Sequence, residues 1–328
     1  MARKKTNQSP AKKILKGPNT DLYVVGIGAS AGGLEALKDF FRGLPESTGA
    51  AYVVVQHLDP THKSLLSKLL SSHTRMEVLE IENGMKLVAD RVYVIPPRKD
   101  LYLFKHTLKL TESAEPRSLR RPIDLFFQSL ADDAKVKGVG IILSGTGTEG
   151  AIGLEAIRGE GGMAMVQDPE SAKFEGMPRT VIAAKAADYI LEPSKMGAKL
   201  VRYLKKKRLG ENTTVPRESF EKQLIKIFDI VRKQTGLDFS MYKKNTVVRR
   251  VMKRVAINQM DTMEEYLRFL RQSKQEVERL SGEFLIGVTS FFRDKVVFNS
   301  AAKKIIPYLL EKSEDKDLRQ PLSLPEPN

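Results

Sequence analysis

The feature that most limits what this chain can become is a series of short, nearly unbroken apolar runs: LYVVGIG (22–28), AYVVVQ (51–56), RVYVIP (91–96), GVGIIL (138–143) and MAMVQ (163–167). Each is short and rich in β-branched residues, the pattern of strands buried on both faces. Stretches with helical spacing lie between several of them, at 33–42, 61–72, 122–136 and 149–158. This alternation predicts an α/β fold: a doubly wound, mostly parallel sheet with helices on both faces. Residues 100–111 (DLYLFKHTLKLT) alternate around Lys105-His106 and read as a hairpin, and a last short strand is expected at 188–192.

A helix at 194–207 leads into the basic run RYLKKKR (202–208) and the polar stretch GENTTVP (210–216), beyond which the strand signal disappears. Helices are expected at 218–234, 245–258, 262–271, 275–286 and 294–312. The predicted organisation is therefore a disordered basic leader (1–20), an α/β domain (21–208), a linker (209–217), a small all-α domain (218–312) and a disordered tail (313–328). A length of 328 residues suits about two domains.

Composition removes several function classes. With no cysteine, disulfide scaffolds, thiolate metal sites, iron–sulfur clusters and a thiol nucleophile are excluded. The four histidines (57, 62, 73 and 106) make an all-histidine zinc site unexpected, so no metal is predicted. No apolar run reaches the ~18 residues of a membrane span, and residues 1–20 lack the apolar segment of a secretory signal. A cytoplasmic protein without membrane insertion is the expectation.

The net charge of +15 is unevenly spread. Residues 1–20, 202–208 and 243–254 together carry +17 and no acid, so the remainder nets to −2. Such runs are either solvated faces or docking surfaces for an anionic partner.

The first strand joins the first helix through VVGIGASAGGLEAL (24–37). Gly28-Ala29-Ser30-Ala31-Gly32 is a literal G-x-S-x-G, which places a serine on a sharp strand-to-helix turn with its hydroxyl exposed at the sheet edge. The same letters hold Gly26-x-Gly28-x-x-Ala31, close to a dinucleotide fingerprint. A third reading is that glycines stand here only because helix and strand pack closely.

Other residues discriminate among these. A dinucleotide site asks for a carboxylate ending the second strand, but that strand ends Val54-Val55-Gln56-His57. A histidine there suits a general base for a serine nucleophile. Strand ends on one edge of a parallel sheet are neighbours, so Ser30 and His57 are expected within hydrogen-bonding range. A third member would orient the imidazole, and Glu149 follows another buried strand in LSGTGTEGA (143–151). Taken alone, Glu149 reads equally as a helix N-terminal acid. Gly145, Thr146 and Gly147 offer backbone N–H groups suited to an oxyanion hole.

Taken together, VVGIGASAGGLEAL (24–37), VVVQH (53–57), VYVIPP (92–97), PIDLFF (122–127), IILSGTGTEGAIGL (141–154) and QDPESAKFEGMPRTVI (167–182) resemble the catalytic domain of the chemotaxis protein-glutamate methylesterases, the CheB family. The motifs cover roughly 20–200. The resemblance implies Ser30 as nucleophile, His57 as base and Glu149 as the orienting acid. It also implies hydrolysis of glutamyl methyl esters on methyl-accepting chemoreceptors or related signalling proteins, and the related deamidation of glutamines, with no cofactor required. Met177, in the last motif, is expected on the substrate-facing surface. Three positions depart from the family pattern: Glu149 stands for Asp, Ala31 for Thr and Thr146 for Met. No phosphoryl-receiver domain precedes residue 20, so the usual phosphorylation switch is not expected within this chain.

The second domain resembles the N-terminal helical domain of the chemotaxis methyltransferases (CheR), through TGLDFSMYKKNTVVRRVMKRV (235–255), MEEYLRFLR (263–271) and LIGVTSFFRD (285–294). The order is that of esterase–transferase hybrids. The resemblance maps S-adenosylmethionine contacts onto Thr289 and Arg293. Only 35 residues follow Arg293, without a glycine-rich strand-turn-helix, so the cofactor site is expected to be vestigial and no methyl transfer is expected.

Within 245–256, Val247, Val248, Val251, Met252 and Val255 form an apolar helical stripe, and Arg249, Arg250, Lys253 and Arg254 fall opposite. The stripe is expected to pack and the basic face to be free, either merely solvated or, as the resemblance implies, docking acidic receptor helices. Tyr242 is the only aromatic nearby, so nucleic acid is not the expected partner. The sequence does not indicate an oligomeric state. A cytoplasmic methylesterase is the leading reading; the competitors are a weak or inactive signalling scaffold that keeps the fold, and a nucleotide-binding protein.

Overall fold

The structure, a computed structural model, describes residues 22–56, 66–112, 120–211 and 217–285. The expected helix at 294–312, like Thr289 and Arg293, lies outside the described residues, as does His57.

Strands buried on both faces build the sheet. Strand β1 (Tyr23–Ala29) is buried throughout and pairs in parallel with β2 (Ala50–Gln56), Tyr23 opposite Ala50 and Ala29 opposite Gln56. Further strands are β3 (Glu77–Glu80), β4 (Arg91–Val94), β7 (Gly138–Ile142), β8 (Met163–Gln167) and β9 (Tyr189–Leu191), and the seven form one parallel sheet in the order β3-β4-β2-β1-β7-β8-β9. The predicted hairpin is β5 (Lys99–Phe104) paired antiparallel with β6 (Thr107–Glu112).

Because side chains alternate along a strand, each strand feeds two cores. Val24, Val53 and Val166 face a layer that includes α3 (Pro122–Ala134) and α4 (Ala151–Gly159), along with α5 (Gly176–Ala183) and the hairpin. Tyr23, Val25, Ile27 and Val54 face α1 (Gly33–Arg42), α2 (Leu66–Ser71) and α6 (Pro193–Glu211). The doubly wound α/β architecture is thus present. β3 and α5 were not anticipated. EVLE carries charge at both ends of an exposed edge strand, and GMPRTVIA opens with glycine and an early proline, so neither shows a strong hydrophobic period.

The helical part comprises α7 (Arg217–Thr235), α8 (Lys244–Ile257), α9 (Met263–Gln272) and α10 (Lys274–Leu285) around Ile227, Val231, Val251, Tyr266 and Leu280. Helix α9 begins with a capping box, Thr262 accepting from the Glu265 amide while the Glu265 carboxylate reaches back. The apolar stripe of α8 packs as expected, with Val247, Val251 and Val255 inside.

The opposite face of α8 overturns an expectation. Arg250 and Lys253 are 0% exposed and Arg254 is 3% exposed, so they present no free docking surface. Arg250 donates to the carbonyls of Arg158 (2.8 Å) and Gly159 (2.7 Å). Lys253 stands 3.1 Å from the Asp188 carboxylate and 3.4 Å from that of Glu283. Arg254 holds Glu276 with two bonds, at 2.8 and 2.6 Å, and Tyr266 donates to the same carboxylate. Arg249 is partly exposed and lies 3.6 Å from Glu160. The reason is periodic: residues 250, 253, 254 and 257 recur at helical spacing, giving α8 a second buried face. That face meets the end of α4 and the residue before β9, and Tyr189 donates its hydroxyl to the Ile257 carbonyl. The contact lies at the amino ends of β8 and β9, the sheet edge opposite Ser30.

The 202–208 run is also engaged internally. Arg202 bonds Gln259 at 2.9 Å, Lys206 bonds the Gln259 carbonyl at 2.6 Å and pairs with Asp261, and Arg208 donates to the Thr48 carbonyl at 2.8 Å.

Candidate active site

Ser30 is the first residue beyond β1. Chain order runs outward from β1 through β2 on one side and through β7, β8 and β9 on the other, so the sheet reverses between β1 and β7. Ligands of open α/β sheets bind in the crevice outside such a reversal. The Ser30 amide spans it, donating to the Ser144 carbonyl at 3.0 Å, and the Ser30 carbonyl accepts from Gly33 at 2.9 Å. The turn then reaches Gly32, whose φ of 71° is left-handed and whose absent side chain matters: a Cβ there would stand 2.8 Å from Ser144 Oγ and from Lys173 Cβ.

Gly26 and Gly28 have a different function. They lie inside β1 on the face toward α3, where a Cβ at Gly28 would stand 2.5 Å from Ile123 Cγ2 and one at Gly26 2.8 Å from Leu130 Cδ2. These glycines seat a helix, as the close-packing reading supposes, and the pyrophosphate reading loses its two leading glycines to that role.

The turn after β7 carries the second group. Ser144 and Gly145 are buried, while Thr146, Gly147 and Thr148 are exposed. The Gly145 amide is not available to an oxyanion: it donates to the Phe174 carbonyl at 2.9 Å. Among the described residues the Thr146, Gly147 and Thr148 amides make no such bond.

Glu149 is buried, and its Oε1 accepts the amides of Ile123 and of Asp124, the latter at 3.2 Å. It therefore caps α3, not the helix that its own position opens. Asp124 returns the favour, accepting from the amides of Gly150 (3.0 Å) and Gly153 (2.8 Å) at the start of α4. Burial raises the Asp124 pKa, against the lowering effect of those two backbone bonds. The two acids cross-cap adjacent helix N-termini and fix the 144–150 loop against α3.

Met177 is not on a substrate surface. It is 1% exposed and belongs to the core beneath the loop, its amide bonded to the Gly145 carbonyl at 3.0 Å. It stands on the inward face of α5, with Val181 one turn further on in the same core. Sequence reasoning missed Ser144, Asp124 and Gln167. Their signal was a polar residue inside or at the end of an apolar run, visible in IDLFF, IILSG and MAMVQ.

A serine on the strand-to-helix turn, at the reversal point of a doubly wound parallel sheet, defines the class as an α/β protein with a hydrolase-type serine turn. The chain belongs to the CheB methylesterase family, whose profile matches residues 25–200. That of the CheR methyltransferase all-alpha domain matches 222–285. The chain resembles the Thermotoga maritima CheB methylesterase catalytic domain with a TM-score of 0.52 and 30% identity, covering 55% of this chain and 98% of that one. It is 33% identical over 186 residues to protein-glutamate methylesterase/protein-glutamine glutaminase 4 of Burkholderia thailandensis, covering 56% of this chain and 54% of that protein. A 104.1 kDa Rhodobacter capsulatus protein is 35% identical over 267 residues, 75% of this chain but 28% of that protein's length. The chain thus spans about half or less of these full-length relatives. Among the described residues, no helix is long and apolar enough to cross a membrane.

Proposed function

We propose that this chain is a protein-glutamate methylesterase acting on methylated glutamates of chemoreceptor-type signalling proteins, in the cytoplasm and as part of signal adaptation. The observation that carries the reading is the Ser30 turn, held at the sheet reversal by its amide bond to Ser144 in a chain of the CheB methylesterase family. In this reading Ser30 Oγ attacks the ester carbonyl as His57 removes its proton. The tetrahedral oxyanion is held by backbone amides, for which Thr146 and Gly147 are the candidates. Collapse expels the methoxy group, which leaves as methanol with the proton from His57. Water, deprotonated by His57, then releases glutamate and restores Ser30. Glu149 orients the imidazole. The same steps with ammonia as leaving group deamidate glutamine. No cofactor takes part.

The scaffold alternative has one observation in its favour: Glu149 Oε1 is already engaged in capping α3. Methanol release from a methylated receptor fragment, wild type against Ser30→Ala, separates the two. A loss of turnover in the variant of at least ~10³-fold is expected; equal rates sink the esterase reading.

A further inference from the structure

We propose that Ser144 is a positioning residue for the nucleophile, clamping three separate chain segments into one rigid serine turn; this rests on the esterase reading above. Its side chain is wholly buried, and each of its polar atoms is committed. The carbonyl accepts the Ser30 amide at 3.0 Å. The amide donates to Gln167 Oε1 at 2.9 Å. The hydroxyl oxygen accepts the Phe174 amide at 3.0 Å and lies 2.9 Å from the Ala31 carbonyl and 3.2 Å from that of Phe174.

The proton assignment follows from the acceptors. The Phe174 carbonyl already takes the Gly145 amide at 2.9 Å, whereas Ala31 offers the shorter contact, so the hydroxyl donates to Ala31. One Oγ thus joins the residue after the nucleophile to a loop 143 positions further along the chain. Gln167 is the support behind it: its amide nitrogen donates to the Ser171 carbonyl at 3.0 Å, which aims its oxygen at Ser144. Gln167 is 2% exposed, so water does not substitute for this bond.

Removing the hydroxyl frees the Ala31 carbonyl and the Phe174 amide together. The turn 30–33 then loses its side-chain tie to Phe174 and keeps only the backbone bond from Ser30 to Ser144, about which the nucleophile can shift against its base. A displacement of about 1 Å at a reacting group costs on the order of 10²-fold in rate. Substrate binding surfaces elsewhere are untouched, so the loss falls on kcat.

The test uses the full chain and two readouts. The first is amide hydrogen exchange in Ser144→Ala, Ser144→Thr and a control, Tyr52→Phe, which removes a buried hydroxyl bonded to Thr48 at the far end of β2. The second is methanol release from a synthetic peptide carrying a glutamate γ-methyl ester. Ser144→Ala is expected to speed exchange of the Gly33 and Phe174 amides at least ~10-fold relative to the β2 amides. It should also lower kcat ~10–100-fold with KM changed less than ~3-fold. Ser144→Thr should restore both, and Tyr52→Phe should alter neither. Unchanged exchange at Gly33 and Phe174, a uniform rise across the sheet, or a threonine variant no better than alanine overturns the proposal. If exchange behaves as expected but wild type releases no methanol, the clamp stands and the esterase reading alone fails.

Discussion

Lys253 Nζ lies 3.1 Å from the Asp188 carboxylate, and both side chains are wholly buried. The pair ties α8 to the residue before β9, so the helical part is bonded into the α/β part through charge as well as apolar contact. Burial pushes the Lys253 ammonium below its usual range, and Asp188 and Glu283 oppose that push.

Asp188 also accepts from Arg158 (3.2 Å) and from the Ala164 amide (2.9 Å). Asp188→Ala leaves these donors facing a dry interior and is expected to cost about 3–5 kcal/mol, the usual result of breaking a buried pair from one side. Lys205→Ala, on an exposed turn of α6, should stay within ~0.5 kcal/mol. Urea denaturation measures both; a cost below ~1 kcal/mol for Asp188→Ala would show that the network contributes little.

Glu283 makes acid sensitivity predictable. Burial raises its pKa, but Lys253, Arg158 and Arg250 overcome this and hold it at about 2, below the ordinary 4.5. A depressed folded-state pKa contributes stability that is fully present above the unfolded value and is lost as pH falls through the folded one. The contribution, on the order of 3 kcal/mol, should disappear between about pH 4.5 and 2. Glu283→Gln should flatten the stability profile across that window; parallel profiles for variant and wild type would remove Glu283 as the cause.

Glu149 can be separated into a cap and a catalytic acid. Glu149→Gln keeps an oxygen for the Ile123 and Asp124 amides, so stability should fall by less than ~1 kcal/mol, whereas Glu149→Ala should cost about 1–2 kcal/mol. Only a carboxylate stabilises the imidazolium, so Glu149→Gln should nonetheless lose most methanol release. Full activity in the glutamine variant would confine Glu149 to the cap.

Gly28→Ala should destabilise the fold by about 1–3 kcal/mol through overpacking, since the added carbon meets Ile123 and also Ile142 Cδ1 at 2.8 Å. NADH should leave the wild-type Tm unmoved. A Tm that rises with NADH would return the turn to the dinucleotide reading.

Much of the α/β layer was legible because strands buried on both faces leave unbroken apolar runs, and the predicted helix at 33–42 is α1. The place of Ser30 on the turn after β1 was legible because few local patterns put a serine between glycines after such a run. Met177 was misread, since one residue inside a motif does not reveal whether it lies on or beneath a loop. The basic face of α8 was misread for a related reason: Arg250, Lys253 and Arg254 find Glu283, Asp188 and Glu276 at 22 to 65 positions' remove, and no local pattern reports so distant a counter-charge.

By itself the sequence determined the strand–helix alternation, the serine turn and the net charge of +15, because hydrophobic period, glycine placement and charge are local properties. Tertiary structure alone decided where those charges go and what holds Ser30. Part of the positive excess is neutralised inside the fold at the sheet edge opposite the serine. The turn itself is fastened by Ser144, whose hydroxyl reaches Ala31 across 113 positions of chain. Burial and long-range hydrogen bonding depend on which surfaces meet, and that is settled only when the sheet has closed and its helices are seated.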